Sequence, residues 1–276
     1  MAQVPTYAAT PSRALIALSG PDWRDFLQGL ITQDVETMAP GQIRFGALLT
    51  PQGRVLYDLF VVEHDAGAWL DVAAEHRTAI LQRLTMYRLR AKVVISADEA
   101  SVSVMFGGDP GMAGWVRDPR LAELGWRGYG AAPPVGAVIA DEAAYHARCL
   151  ALGVPGPADW GSDKTYPIEA NFDLLNGIDF QKGCFVGQET TSRMKRRGVI
   201  KSRMLPMTFD GPPPAPGTEV LAGELRAGVV LSGIEGRCMA LVRLDRALGA
   251  ALTVAGHPAS LERPAWLTRG LGETSE

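Results

Sequence analysis

The chain predicts an α+β protein that ends in a small antiparallel β-barrel. Three patterns carry this reading. Between Ile43 and Phe106 the apolar periodicity runs strand, strand, helix, strand, the order of an antiparallel sheet covered by helices. The stretch Asp210–Gly217 then places four prolines in eight residues, which makes a stiff linker or tight loop. After it, short strand-like runs repeat, several separated by glycine, as in a small barrel.

Taken in order, Ala14 to Leu18 reads as a strand. Ser19, Pro21 and Asp22 then signal a helix start. Trp23, Phe26, Leu27, Leu30 and Ile31 recur at helical spacing and form one apolar face. Ile43 to Leu49 and Val55 to Val62 are strands joined by Thr50-Pro51-Gln52-Gly53. Proline second and glycine fourth suit a type I turn, so a hairpin is expected. Trp69 to Ala73 is a third strand. Ile80, Leu81, Leu84 and Tyr87 mark a helix ending in Arg88-Leu89-Arg90. Lys92 to Ile95 and Val102 to Phe106 return to strand, and Gly107 to Gly114 is a turn-rich break. Asp141 is placed to cap a helix through Tyr145, Cys149 and Leu152, which Gly153 and Pro155 end. The barrel runs are Glu219–Leu221, Ala227–Ile234, Met239–Val242, Leu252–Val254 and Ala259–Leu261.

A chain of 276 residues is too long for one small core, so two or three domains are expected. A net charge of −3 argues against a whole-surface nucleic-acid binder and makes any anion site local. Cys149, Cys184 and Cys238 are odd in number and far apart, which points to a reducing compartment rather than a disulfide framework. Neither they nor the four scattered histidines supply zinc or cluster-ligand spacing. Met1 to Thr10 lacks the pattern of a secretory or organelle leader, and no run approaches 18 uninterrupted apolar residues. The expectation is a cytoplasmic protein with no membrane segment.

Four features can carry chemistry. Cys184 lies between Gly183 and Gly187 with Lys182 beside it, a setting in which positive charge favours the thiolate. The alternative is a small residue packed beneath a loop, a common fate of free cysteine. Arg193, Lys195, Arg196, Arg197, Lys201 and Arg203 put six cations in eleven residues without an acid. They form either a local anion site or a solvated helix face. Glu169, in Tyr166-Pro167-Ile168-Glu169-Ala170-Asn171, can accept two parallel hydrogen bonds from an aminopyrimidine edge, or is a surface acid or helix cap. Asp58 sits in the nearly all-apolar strand Val55 to Val62, so it requires a partner or a ligand cavity.

Lys182-Gly183-Cys184-Phe185-Val186-Gly187-Gln188-Glu189 resembles the loop that marks the YgfZ family, a relative of the folate-binding T-protein of glycine cleavage. Phe26 to Val35, Gly53 to Leu59, Tyr87 to Val93, Pro167 to Asn171 and Gly198 to Arg203 resemble further family stretches, so the likeness runs from about Leu15 to about Val254. Tyr57-Asp58 and Gly198-Val199-Ile200 most resemble the bacterial relatives of the family's mitochondrial iron–sulfur assembly factor.

The resemblance implies a three-domain, aminomethyltransferase-like ring around a central channel. An α+β domain would take residues 1–50 and 131–204, a second α+β domain residues 51–130, and the barrel residues 205–276. It implies a tetrahydrofolate site in which Glu169 contacts the pterin, Cys184 and Lys182 line the site, and Asp58 faces the cavity. Asn171, Gly183, Gln188, Glu189, Arg193 and Arg196 complete the implied ligand-binding set, with Cys184, Lys182 and Asp58 as the reactive groups. T-proteins carry two adjacent aspartates in the strand motif. Here the pair reads Tyr57-Asp58, which counts against aminomethyl transfer, since tyrosine does not stabilise developing positive charge.

Three functions follow in order of expectation. The first is a folate-dependent helper for [4Fe–4S] proteins, monomeric, with cluster-assembly proteins or client apo-proteins as partners. The second is a one-carbon transferase, on an amine or within the tRNA-modification machinery. The third is a scaffold without turnover.

Overall fold

The computed structural model describes residues 4–64 and 67–270. The first three residues of the Met1–Thr10 stretch and the last six of the expected barrel unit lie outside them. The first sheet is antiparallel: β2 (Arg13–Ser19), β3 (Ile43–Leu49), β4 (Val55–His64), β5 (Gly67–Ala73) and β6 (Val94–Asp98), in the order β3-β4-β5-β2-β6. The β3–β4 turn closes as its residues dictate: Gly53 N–H donates to the Thr50 carbonyl at 2.8 Å, with Gly53 at φ +84°. This hairpin pairs Leu49 with Val55, so it crosses the domain boundary expected at residue 50.

One face of this sheet is covered by two helices, α1 (Trp23–Gln28) and α2 (Arg77–Arg88). Ile16, Leu18, Leu59, Val61 and Leu70 of the strands pack there with Leu27, Ile80 and Leu84 of the helices. Alternation turns Phe60 and Val62 to the other face, where they meet Phe45, Phe172 and Met204. The expected first helix is shorter than its apolar face. It ends at Gln28, and Ile31 instead bridges to Leu48 while Thr32 N–H donates to the Ala47 carbonyl.

A second sheet joins chain segments far apart in sequence. It contains β1 (Thr6–Ala9), β7 (Val102–Phe106), β8 (Trp115–Arg117), β9 (Trp126–Tyr129) and β10 (Val138–Ala140), in the order β10-β1-β7-β9-β8. Its β1–β10 pair is parallel. Then comes α3 (Glu142–Ala151), capped as expected: the Asp141 side chain accepts from Ala144 N–H at 3.1 Å. Two further helices are α4 (Pro157–Trp160) and α5 (Gln188–Arg197).

The last unit is a closed six-stranded barrel: β11 (Ser202–Phe209), β12 (Glu219–Ala222), β13 (Leu225–Ile234), β14 (Arg237–Arg243), β15 (Leu252–Val254) and β16 (His257–Leu261). Pairing of Met207 with Leu261 joins the outer strands, and Leu205, Met207, Val230, Ala240 and Val242 fill the interior. The α+β reading with a C-terminal antiparallel barrel therefore holds. Among the described residues no helix is long and apolar enough to cross a membrane.

Candidate functional site

A cavity of about 770 Å³ opens where the two sheets, α3, the Val154–Asp159 segment and the barrel meet. Asp58 and Phe60 of β4, Arg13 of β2, Arg127 of β9, Tyr145 of α3 and Ser232 of β13 all contribute to its wall. Its size lies within the range of small-molecule sites.

Behind that wall runs a buried ion-pair network. Arg13 donates to Asp58 Oδ2 at 2.8 Å and to Asp71 Oδ1 at 2.7 Å. Arg127 reaches Asp71 Oδ2 at 2.5 Å and Asp118 at 3.6 Å, and Arg120 pairs with Asp118 at 2.7 Å. The Tyr129 hydroxyl donates to Asp71 and the Tyr145 hydroxyl to Asp118. All three guanidiniums lie over the Phe60 ring, Arg127 closest at 3.9 Å. Burial alone pushes the Asp71 and Asp118 carboxyls up, but the adjoining arginines override it and hold both below the usual range. Asp58 Oδ1, by contrast, has no hydrogen-bond partner among the described residues, so one carboxylate oxygen remains available on the cavity wall. Asp159 lines the same cavity on the barrel side. It accepts from the Ser232 hydroxyl and from Gly156 N–H at 2.7 Å, and burial raises its carboxyl.

The expected site residues divide into three groups. Asp58 faces this cavity, whereas Tyr57 points to the opposite face of β4, its ring 5.1 Å from that of His76. The others expected at the site are not part of the cavity lining.

The second group is the cysteine loop. Lys182 is buried, and its Nζ donates to the carbonyls of Gln28, Ile31 and Gln33 at 2.7, 2.8 and 2.9 Å. All three donors of the ammonium are thereby used. Burial pulls its pKa down to about 8, against Asp34 and Asp179. Lys182 thus holds the loop to the end of α1 while Cys184 itself is exposed. Neighbouring bonds continue the seam: Asp179 N–H to Thr32, Gln33 Nε2 to Asn176, and Val186 N–H to Gly29. The two glycines of this loop differ in their surroundings. A Cβ on Gly187 would lie 2.6 Å from the Thr50 carbonyl oxygen, whereas one on Gly183 would meet nothing within 4 Å.

The third group surrounds Glu169. This half-buried carboxylate accepts from Tyr166 N–H at 3.1 Å, and burial raises its pKa against Arg54. Asn171 is fully buried at φ +61°. Its side chain donates to the Met204 carbonyl and accepts from Arg203, so its role is to join the turn to the barrel. Arg203 is buried too and pairs with Asp173, so it drops out of the basic run. Gln188 and Glu189 open α5, and the exposed Arg193, Lys195, Arg196 and Arg197 make its outer face cationic.

Both groups pack on the tip of the β3–β4 hairpin. Gly187 and Thr190 meet Gly53 on one flank. On the other, Val55 bonds Thr165 and Asp163, and Arg54 donates to Lys164 while lying over the Tyr166 ring. Sequence reasoning missed Arg13, Asp71, Asp118, Arg120 and Arg127. For Asp71 the signal was present: like Asp58, it is a lone acid in an apolar strand.

Two sheets and a closed barrel around one cavity define the fold class of the glycine-cleavage aminomethyltransferases. The crystal structure of glycine cleavage system aminomethyltransferase T from Bartonella henselae matches with a TM-score of 0.77, covering 96% of this chain and 86% of that one. At 18% identity this likeness concerns the fold alone. Residues 201–269 match the family described as CAF17, C-terminal beta-barrel domain. The human mitochondrial iron–sulfur cluster assembly factor IBA57 is 32% identical over 258 residues, covering 78% of this chain and 72% of its own length. The Neurospora crassa homologue is 31% identical over 236 residues, covering 74% of this chain and 54% of its own. The chain belongs to the IBA57 family, and it spans little more than half the length of the Neurospora relative.

Proposed function

We propose that this protein is a folate-binding iron–sulfur cluster assembly factor, with tetrahydrofolate lying along β4. The unpartnered Asp58 oxygen on the cavity wall carries the reading. An acceptor held in place there, beside the Phe60 and Tyr145 rings, suits a flat heterocycle rich in N–H donors. Arg13 holds Asp58 in orientation through its 2.8 Å contact with the other carboxylate oxygen. The turn bearing Glu169 joins β4 at Val55, three residues from Asp58, or roughly 10 Å along a strand. In this reading a ligand seated at Asp58 and extended along β4 runs toward the turn that bears Glu169, which lies outside the cavity lining itself. Bound tetrahydrofolate would supply a carrier for one-carbon units. Cys184, exposed beyond the same hairpin tip, is open to a partner protein, and the assembly role itself comes from the names of the relatives.

The test is titration with tetrahydrofolate followed by tryptophan fluorescence. Wild type should bind saturably. Asp58→Asn, which keeps the shape but removes the charge, and Glu169→Ala should each weaken binding by about tenfold or more, the worth of one hydrogen bond to a charged group. Absence of saturable binding by wild type, or full affinity in both variants, rejects the reading.

A further inference from the structure

The turn after α2 holds an apolar side chain out in water under backbone strain. Leu89 has φ 44° and ψ −106°, a conformation rare for a side chain of this size, and it is 88% exposed. Met86 at 73% and Val94 at 61% are exposed near it, and Tyr87 is partly exposed beneath Arg83. The same stretch, Arg77 to Ala97, contains five cations and no acid in a protein whose net charge is −3. Among the described residues, Arg83, Arg88, Arg90 and Lys92 pair with no carboxylate. Arg88 instead donates to the Val93 carbonyl, and Asp22 accepts from the Lys92 backbone N–H rather than from its side chain. None of these residues lines the interdomain cavity or belongs to the proposed folate site.

The geometry points to this tip as a peripheral docking site for an anionic lipid surface. Two features favour a bilayer over a protein face. The apolar groups project from the last turn of α2, from Leu89 just after it and from the first residue of β6 rather than lining a groove, which suits shallow insertion among headgroups. Arginine and lysine have long apolar stems that can enter the headgroup layer while their charged ends stay among the phosphates, and Tyr87 has the amphipathic ring typical of that depth. The sequence expectation of no membrane partner rested on the lack of a spanning segment, and a surface contact of this kind needs none. The inference stands independently of the folate reading.

The experiment is co-sedimentation of the purified full chain with vesicles of phosphatidylcholine alone and of phosphatidylcholine with phosphatidylglycerol. Wild type should partition onto the anionic vesicles about tenfold more strongly than onto the neutral ones, and added salt should release it. Leu89→Asp and Arg90→Glu should each lower that partitioning by about tenfold, with circular dichroism and tetrahydrofolate titration unchanged. Wild type left in the supernatant with both vesicle types overturns the proposal, as does vesicle binding that both variants retain. Capture of an acidic protein through Leu89 without vesicle binding would also overturn it.

Discussion

Replacing Asp71 by asparagine should cost more stability than any exposed charge in the molecule. Asp71 is fully buried, and its carboxylate accepts from Arg13 Nε at 2.7 Å, Arg127 Nη2 at 2.5 Å, Arg127 Nε at 3.1 Å and the Tyr129 hydroxyl at 3.0 Å. In the network three arginines face three aspartates, so the charges balance. Asparagine keeps one acceptor, turns an N–H₂ toward a guanidinium, and leaves one positive charge uncompensated in a place closed to solvent. Breaking a buried pair in this way costs about 3–5 kcal/mol, a large part of the ~5–15 kcal/mol that holds a domain together. The readout is the urea midpoint followed by tryptophan fluorescence, with Trp69 reporting from 6.1 Å away from Tyr129. The Asp71 carboxyl is held below its ordinary 3.8, so its contribution is complete above that value and is lost as the pH falls through the lowered folded one. The gap between wild type and variant should therefore narrow in acid. A loss under about 1 kcal/mol, the worth of a surface ion pair, would refute the reasoning.

Lys182→Met should leave three buried carbonyls without donors, cost about 3 kcal/mol and free the loop, read as a lower urea midpoint and faster reaction of Cys184 with a disulfide reagent. The folded Lys182 amine sits at about 8 and the free one at 10.5, so the unfolded chain holds more protons between these values. Wild type should accordingly gain stability relative to Lys182→Met as the pH rises through that window. Gly187→Ala should cost about 1–3 kcal/mol, because its Cβ would strike the Thr50 carbonyl at φ +82°, whereas Gly183→Ala meets no neighbour; thermal melts of the two variants separate these outcomes. In the native protein a thiol reagent should titrate Cys184 quickly and the other two only on unfolding, since burial pushes Cys149 and Cys238 up to about 11. A second fast thiol would contradict the raised thiols of half-buried Cys149 and buried Cys238.

Where strands are long and apolar, the sequence predicted them closely. Ile43–Leu49 matches to the residue, and Asp141 caps its helix as its position requires. The second sheet was illegible because its strands are only three to five residues long. Of them only Val102–Phe106 shows a local pattern; β9, Trp-Arg-Gly-Tyr, buries an arginine whose partner lies 56 residues away. Strand β11 was hidden by Pro206 and by the basic run that leads into it, whose last member, Arg203, lies in the strand and turns inward to Asp173. At the site, lone acids in apolar strands could be flagged from the sequence. Their arginine partners could not, because pairing across sheets is a property of the tertiary fold. Nor could the inward turn of Lys182, which depends on carbonyls some 150 residues earlier.

The cavity belongs to no single unit: β4, β9 and β13 each own part of its wall. Any molecule that fills it touches all three at once and resists their separation. Occupancy therefore reports on the mutual mobility of the whole assembly, and a protease that cuts between the units would distinguish loaded from empty protein without contacting the bound molecule.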